Sequence, residues 1–417
     1  MKTRRDVLRW GLTVAGGLGA AAISRSAGWS APSQRAPMTS GLEVFLRHGV
    51  EGVRGMRIGL LCNHTSLNGA GVHAIDLLLA AGQNLQALFC PEHGLKGRVI
   101  HGNIADSVDQ ATGLPVRSLH GEFRKPTPAM LADLDFVLID LPSIGARFFT
   151  YESTMTLMME ACGEAGIPVW VLDRPNPIGG MLVQGPIAET AATSFLGRFP
   201  IPVRHGLTMG EFAWLAHDEF GSRCDLGVEP LEGWQRRDQW ADTGWTWTPP
   251  SPSLWTPVAA LTYPGICFFE ATNLSKGGST FHPYEVVAAP WLDAPAIADA
   301  LNLAGTCPGV YLDATSYTPL KPNDGLYADQ SCAAIWLQIT DPLRADPVAT
   351  AFQLLRAIAD RHPTELTFKR PHFTLLAGSD TLLDTVLTTP DLAGLIDGWN
   401  QADQAFRQRC APYLLYS

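Results

Sequence analysis

Four short runs of Val, Ile and Leu, at residues 57–62, 85–90, 134–141 and 168–172, constrain this chain more than any other feature. Each is nearly continuous in apolar residues and bounded by Gly, Pro or polar residues, as expected of strands covered on both faces. Residues 71–81, 127–132 and 151–165, between the runs, carry helical spacing. This alternation predicts a parallel sheet with helices on both faces over about residues 41–190. No strand there leads into a GxGxxG turn, so a dinucleotide site has no support.

In open sheets of this kind ligands lie outside the carboxyl ends of the strands. The second run stops at Pro91-Glu92-His93-Gly94. A carboxyl group held there is partly desolvated, which favours its protonated form and suits a general acid. Three further strand ends are polar. Cys62-Asn63-His64-Thr65 follows the first; Asp140, Ser143, Arg147 and Tyr151 follow the third; Asp173-Arg174-Pro175-Asn176-Pro177 follows the fourth. Carboxylates, arginines, amides and aromatic rings on one face suit sugar recognition, in which hydroxyls need paired polar partners and the C–H face of the ring packs on an aromatic plane. Taken singly, each has a plainer reading. Glu92 fits a helix cap, Asp173-Arg174 a local ion pair holding a turn, and Arg147 a structural partner of Asp140. His93 fits a hydrogen-bonded structural histidine and Tyr151 the core.

The first forty residues read as an export signal and linker. Arg4-Arg5 precedes a 14-residue apolar run, Trp10 to Ile23, too short to span a membrane but suited to a signal. The paired arginines match the twin-arginine route, which exports folded proteins to the periplasm. No Cys lies in this segment, which excludes a lipoprotein anchor, and no later apolar stretch is long enough to span a membrane. Residues 1–40 hold six Lys or Arg and one Asp, so removing them takes the formal charge from −10 to about −15. So acidic a surface, with no basic run, disfavours nucleic acid. Eight cysteines in 417 residues are too sparse for a disulfide framework and read as small buried residues. They and the 11 histidines show no CxxC or HExxH spacing, so a metal site is not supported.

The sequence divides into a sheet domain over 41–233, a Trp- and Pro-rich connection over 234–257, packed rather than disordered, and an α+β domain over 258–417. In the last, 333–339 reads as a strand and 347–361 and 392–409 as helices.

Eight ordered landmarks resemble the NamZ-type exo-β-N-acetylmuramidases, glycoside hydrolase family 171. They are Pro91-Glu92-His93-Gly94, the stretch from Gly145 to Tyr151, that from Val171 to Pro177, and that from His205 to Glu211. Pro250-Ser251-Pro252, Tyr263-Pro264-Gly265, the stretch from Glu270 to Ser275, and that from Tyr413 to Tyr416 complete the set. The resemblance implies a Rossmann-like domain joined to a smaller α+β domain, with the active site in the crevice between them. It implies release of N-acetylmuramic acid from the non-reducing ends of peptidoglycan fragments, without a cofactor, and it matches Glu92 to the family's catalytic glutamate. Three positions depart from the family pattern: Ser143 stands in place of an acid, Phe149 in place of a Tyr, and Gly278 in place of an Arg suited to the lactyl carboxylate.

Glycoside hydrolysis ordinarily uses a second carboxylate. Asp140 is expected in that role, with Asp173 and Glu270 behind it. The substrate's own acetamide offers another route, so retention and inversion both stay open. Asn63, His93, Arg147, Tyr151, Asp173, Arg174, Asn176 and Glu270 are expected to bind substrate. The competing readings are a non-catalytic binder of muramyl sugars, a hydrolase of another terminal amino sugar, and an amidase or esterase. GxSxG, which the last would use, is absent.

Overall fold

The computed structural model describes residues 37–278, 280, 282–320, 322 and 324–417. The expected export signal lies outside them. The chain enters through helix α1 (Gly41–His48), closed by Ser40 and Glu43 in a reciprocal capping box. Seven strands then build one sheet: β1 (Ile58–Cys62), β2 (Leu85–Cys90), β3 (Ser107–Val108), β4 (Pro115–Ser118), β5 (Phe136–Asp140), β6 (Val169–Leu172) and β7 (Leu226–Glu229). Their order is β3-β4-β2-β1-β5-β6-β7, parallel throughout except for the edge pair β3/β4. Helices α2 (Ala74–Ala80), α3 (Pro128–Leu131), α4 (Tyr151–Ala165) and α5 (Met209–Glu219) make up the rest of this half.

The four apolar runs are all strands, and their alternation explains why the runs are continuous. Ile58, Leu60 and Leu138 pack with Leu42, Phe45 and Leu78 from α1 and α2. Their neighbours Leu61, Val137 and Ile139 pack on the opposite face with Met155, Met158 and Met159 from α4. A strand that feeds two cores cannot alternate apolar with polar. Strands β4 and β7 are only four residues each, with few apolar side chains and only partial burial in β7, which hid them from a hydrophobicity reading.

A smaller antiparallel sheet, order β8-β10-β9, follows from β8 (Val286–Ala289), β9 (Val310–Tyr317) and β10 (Cys332–Ile339). Helices α6 (Pro257–Ile266), α7 (Ala294–Ala304), α8 (Pro347–Arg361), α9 (Arg370–Ala377), α10 (Leu382–Thr388) and α11 (Ala393–Cys410) pack around it. Helices α6, α7 and α8 each start with Pro in the first turn behind a Thr or Asp whose side chain accepts a backbone N–H. Residues 234–257 between the sheets are irregular but packed. Trp240 meets Trp247 edge-on at 5.0 Å, and Trp234 meets Tyr416 at 5.1 Å. The described residues form one compact unit, and among them no helix is long and apolar enough to cross a membrane.

Helices α6 and α8 approach so closely at Gly265 that a Cβ there would lie 1.8 Å from the Pro347 carbonyl oxygen. Gly265→Ala is expected to destabilise the fold by about 1–3 kcal/mol, read as a lower urea midpoint with an unchanged denaturant slope.

Candidate active site

The strand order reverses at β1, which has β2 on one side and β5 on the other. Loops leaving the carboxyl ends of β1, β2 and β5 therefore gather at one edge of the sheet, where a ligand crevice is expected. Glu92 leaves β2 there with its side chain about 30% exposed. Thr150 Oγ1 donates to Glu92 Oε2 at 2.7 Å, and His120 Nε2 lies 3.6 Å from Glu92 Oε1. Thr150 sits at the N-cap position of α4 but does not cap with its hydroxyl, which leaves that group free for Glu92. The positive end of the helix dipole also faces the carboxylate.

Below Glu92, Tyr151 is fully buried. Its hydroxyl accepts from Asn63 Nδ2 at 3.0 Å and donates to the Pro250 carbonyl at 2.7 Å. Asn63 Oδ1 in turn accepts from the Thr65 N–H at 2.9 Å. This chain ties the β1 loop, the start of α4 and the Trp/Pro connection beneath Glu92. Burial raises the Tyr151 phenol far above its ordinary range, so it stays neutral. His93 adopts φ of +69°, and its Nδ1 lies 2.7 Å from the Val99 carbonyl. That contact shapes the loop after Glu92 rather than presenting an imidazole to a ligand, and burial lowers the His93 pKa.

The same loop carries His101 into a cavity of about 440 Å³. Its other walls include Ser253 from the connection, and Glu270, Lys276, Lys369 and His372 from the C-terminal half. Glu270 is about 28% exposed, accepts from the Tyr284 hydroxyl and lies 3.5 Å from His372 Nε2. Burial opposes its ionisation, but His372, Lys276 and Tyr284 outweigh that and lower its pKa. Lys276 Nζ reaches Asp324 at 3.4 Å. Gly278 borders the same cavity, and a Cβ built on it meets nothing.

Other expected site residues are committed elsewhere. Asp140 is fully buried, and both its oxygens are held by Arg174, from Nε at 2.5 Å and Nη2 at 2.6 Å. The expected second catalytic acid is thus placed in a buried bidentate ion pair, away from solvent. Arg174 also donates from Nη1 to the Leu67 carbonyl. It therefore pairs with Asp140, not with its neighbour Asp173. Asp173 takes hydrogen bonds from Thr208, Gly210 and Tyr416 at the N-terminus of α5, and burial pushes its pKa up to about 6. Asn176 holds a turn through the Ile178 N–H and the Leu207 carbonyl. Arg147 is buried among four carbonyls, those of Pro186, Ile201, Leu376 and Ala377, and pairs with no carboxylate. Ser143 donates to the buried Glu152, which His205 also approaches at 3.2 Å, and Phe149 packs on Tyr151 at 4.6 Å. A second cavity of about 330 Å³, walled by Trp240, Trp245 and Trp247, lies over the β1 and β5 loops. The one charged group on its wall is the committed Arg174. Sequence reading missed His120, Arg124, Thr150, Lys369 and His372. His120 and Arg124 follow the short strand β4, so no apolar run marked that strand end. Among the described residues no group of three or more His, Cys, Asp or Glu is placed to hold a metal.

The N-terminal model of the exo-beta-N-acetylmuramidase NamZ family matches residues 58–258, and its C-terminal model matches residues 261–416. The chain belongs to the NamZ exo-β-N-acetylmuramidase family. A relative in the family, the peptidoglycan beta-N-acetylmuramidase NamZ of Bacillus subtilis (strain 168), is 34% identical over 387 residues, covering 92% of each chain. A solved DUF1343 family protein from Bacteroides fragilis NCTC 9343 superposes with a TM-score of 0.84 at 33% identity, over 92% of this chain and 100% of that one. A second protein of that family from the same strain gives 0.71 at 28% identity, over 92% and 99%.

Breaking the buried pair separates a structural role for Asp140 from a catalytic one. Asp140→Ala leaves Arg174 charged, buried and unpaired, and is expected to cost about 3–5 kcal/mol of stability, measured by chemical denaturation.

Proposed function

We propose that this protein is an exo-acting β-N-acetylmuramidase that releases N-acetylmuramic acid from the non-reducing ends of peptidoglycan fragments, with Glu92 as general acid. Membership of the family carries the activity. The role of Glu92 rests on one observation: of the carboxylates at or just beyond the ends of β2, β5 and β6, Glu92 is partly open to solvent, while Asp140 and Asp173 are buried and hydrogen-bonded. In the proposed step the Glu92 proton passes to the glycosidic oxygen as the bond to the anomeric carbon breaks.

With Asp140 removed, Glu270 is the expected second carboxylate that still faces a cavity. The acetamide of the substrate remains the other means of stabilising the anomeric carbon, with a protein acid only orienting it. Lys276 and Lys369 supply positive charge on the same wall. An ammonium attracts the lactyl carboxylate as a point charge, without the two parallel hydrogen bonds of a guanidinium. The twin-arginine signal expected within residues 1–40 would deliver the folded enzyme to the periplasm, on the side of the membrane where peptidoglycan lies.

The test is release of free N-acetylmuramic acid from a MurNAc–GlcNAc disaccharide, beside the GlcNAc-terminated counterpart. Glu92→Gln is expected to keep its melting temperature and lose turnover by roughly 10²–10⁴-fold, the share of a general acid. Near-normal turnover would remove Glu92 from the role, and binding without turnover by the wild type would favour the non-catalytic reading. Because open space surrounds Gly278, Gly278→Arg is expected to fold normally and lower KM for the MurNAc-terminated sugar about 3- to 30-fold. It should leave the GlcNAc-terminated sugar unaffected.

A further inference from the structure

The protonation of His120 is decided by its neighbours. Its backbone is pinned on both sides: the N–H donates to Ser118 Oγ at 3.2 Å and the carbonyl accepts from the Ile104 N–H at 2.9 Å. The ring, about 9% exposed, touches Phe195 edge-on at 6.1 Å. Arg124, whose guanidinium lies 4.5 Å over the same Phe195 ring, meets His120 at Nδ1. A guanidinium has only donors. Nδ1 must therefore be the acceptor, and the single ring proton sits on Nε2, the nitrogen 3.6 Å from Glu92 Oε1. An imidazolium there would set a second N–H and a second positive charge against Arg124. Burial, with Arg124 and His93 acting in the same sense, takes the His120 pKa down to about 4 despite the opposing pull of Glu92.

We propose that His120 is a positioning residue for Glu92: a neutral imidazole whose tautomer Arg124 fixes, and whose Nε2–H closes onto the Glu92 carboxylate as that group gives up its proton. The inference rests on the general-acid role proposed for Glu92. At 3.6 Å the contact is longer than a hydrogen bond in the free protein. Such contacts tighten when the reacting complex forms. When the proton moves from Glu92 to the glycosidic oxygen, negative charge appears on Oε1 and Oε2. His120 Nε2–H meets the first and Thr150 Oγ1–H the second. No proton leaves His120, so the step consumes one proton from Glu92 and delivers one to the leaving group. The other titratable groups facing this pair are His93 on the Glu92 loop, Arg124 after β4, and Tyr151 at the start of α4. Tyr151 stays neutral and Arg124 stays charged, so neither titrates across the working range.

The experiment is the pH profile of kcat/KM on MurNAc–GlcNAc for full-length protein, with kcat and KM separated. His120→Ala removes the donor that favours the carboxylate. It is expected to lower kcat about 10- to 100-fold, to leave KM within about twofold, and to move the alkaline limb, where the acid form is lost, to higher pH. His120→Gln places an amide N–H near the Nε2 position and should restore part of the rate and bring the limb back. Arg124→Ala frees Nδ1 and removes the guanidinium charge while burial remains, so a new ionisation, raised from about 4 but still below the ordinary histidine value of about 6.5, should enter the profile. An unmoved limb in both His120 variants would overturn the proposal, as would a raised KM at unchanged kcat, which would mean direct substrate contact. The absence of the new ionisation in Arg124→Ala would overturn the tautomer lock. Should His120→Ala fail to fold, His120→Leu, which fills the space without a donor, should show the same raised limb, and an unmoved limb there would overturn the proposal. If Glu92→Gln keeps its turnover, the general-acid reading itself has failed; if Glu92→Gln is inactive while the His120 limb stays put, only the present inference has.

Discussion

The buried pair of Asp140 and Arg174 holds the site edge of the large sheet together. Asp140 closes β5 directly beside Cys62 of β1, with which it is in register. Arg174, just beyond β6, takes both carboxylate oxygens and donates its remaining nitrogen to the Leu67 carbonyl in the loop after β1. One guanidinium thus fixes three strand-end segments at the point where the strand order reverses. The desolvation such a pair demands is offset only when every polar atom is satisfied, and here the carboxylate and the guanidinium satisfy each other. The Tyr151 chain, from Asn63 to the Pro250 carbonyl, stands on this platform, and Glu92 stands above Tyr151.

That arrangement divides the polar residues into two populations. Those at the carboxyl ends of the central strands have become structure, because the sheet must close its own edge before it can present anything to solvent. One strand outward, the loops after β2 and β4 bring Glu92, His120 and Arg124 together, and there Glu92 keeps part of its carboxylate open. Along the edge that the crevice rule for open sheets singles out, the polar groups of the central strands are thus mostly bonded to one another.

The parallel half was legible because each of its strands feeds two cores, which writes continuous apolar runs into the sequence; β1, β2, β5 and β6 all announced themselves. Helix α8 was legible to its last residue because Pro347 and the Asp346 cap mark its start and a clear apolar face runs along it. The strand-end position of Glu92 was legible because an apolar run stops just before it. His120 could not, since β4 reads Pro-Val-Arg-Ser and its end carries no contrast in hydrophobicity. Asp140, Arg174 and Arg147 showed that a polar residue at a strand end is equally the mark of a sheet that must hydrogen-bond its own loops. Composition does not separate the two uses, because the difference lies in whether a partner is already in place.

Arg147 explains how a site drawn from both halves keeps its shape. Its guanidinium donates to two carbonyls from 186–201 and two from the end of α9, so one side chain stitches the parallel half to the helices around the smaller sheet. Burial lowers its pKa to about 9, and it still carries its charge at neutral pH. A charged group sealed among four carbonyls leaves little freedom for the halves to separate, since any opening would strand it without acceptors in a dry interior. The cavity that joins His101 to Glu270, Lys276 and Lys369 is thereby a preformed one.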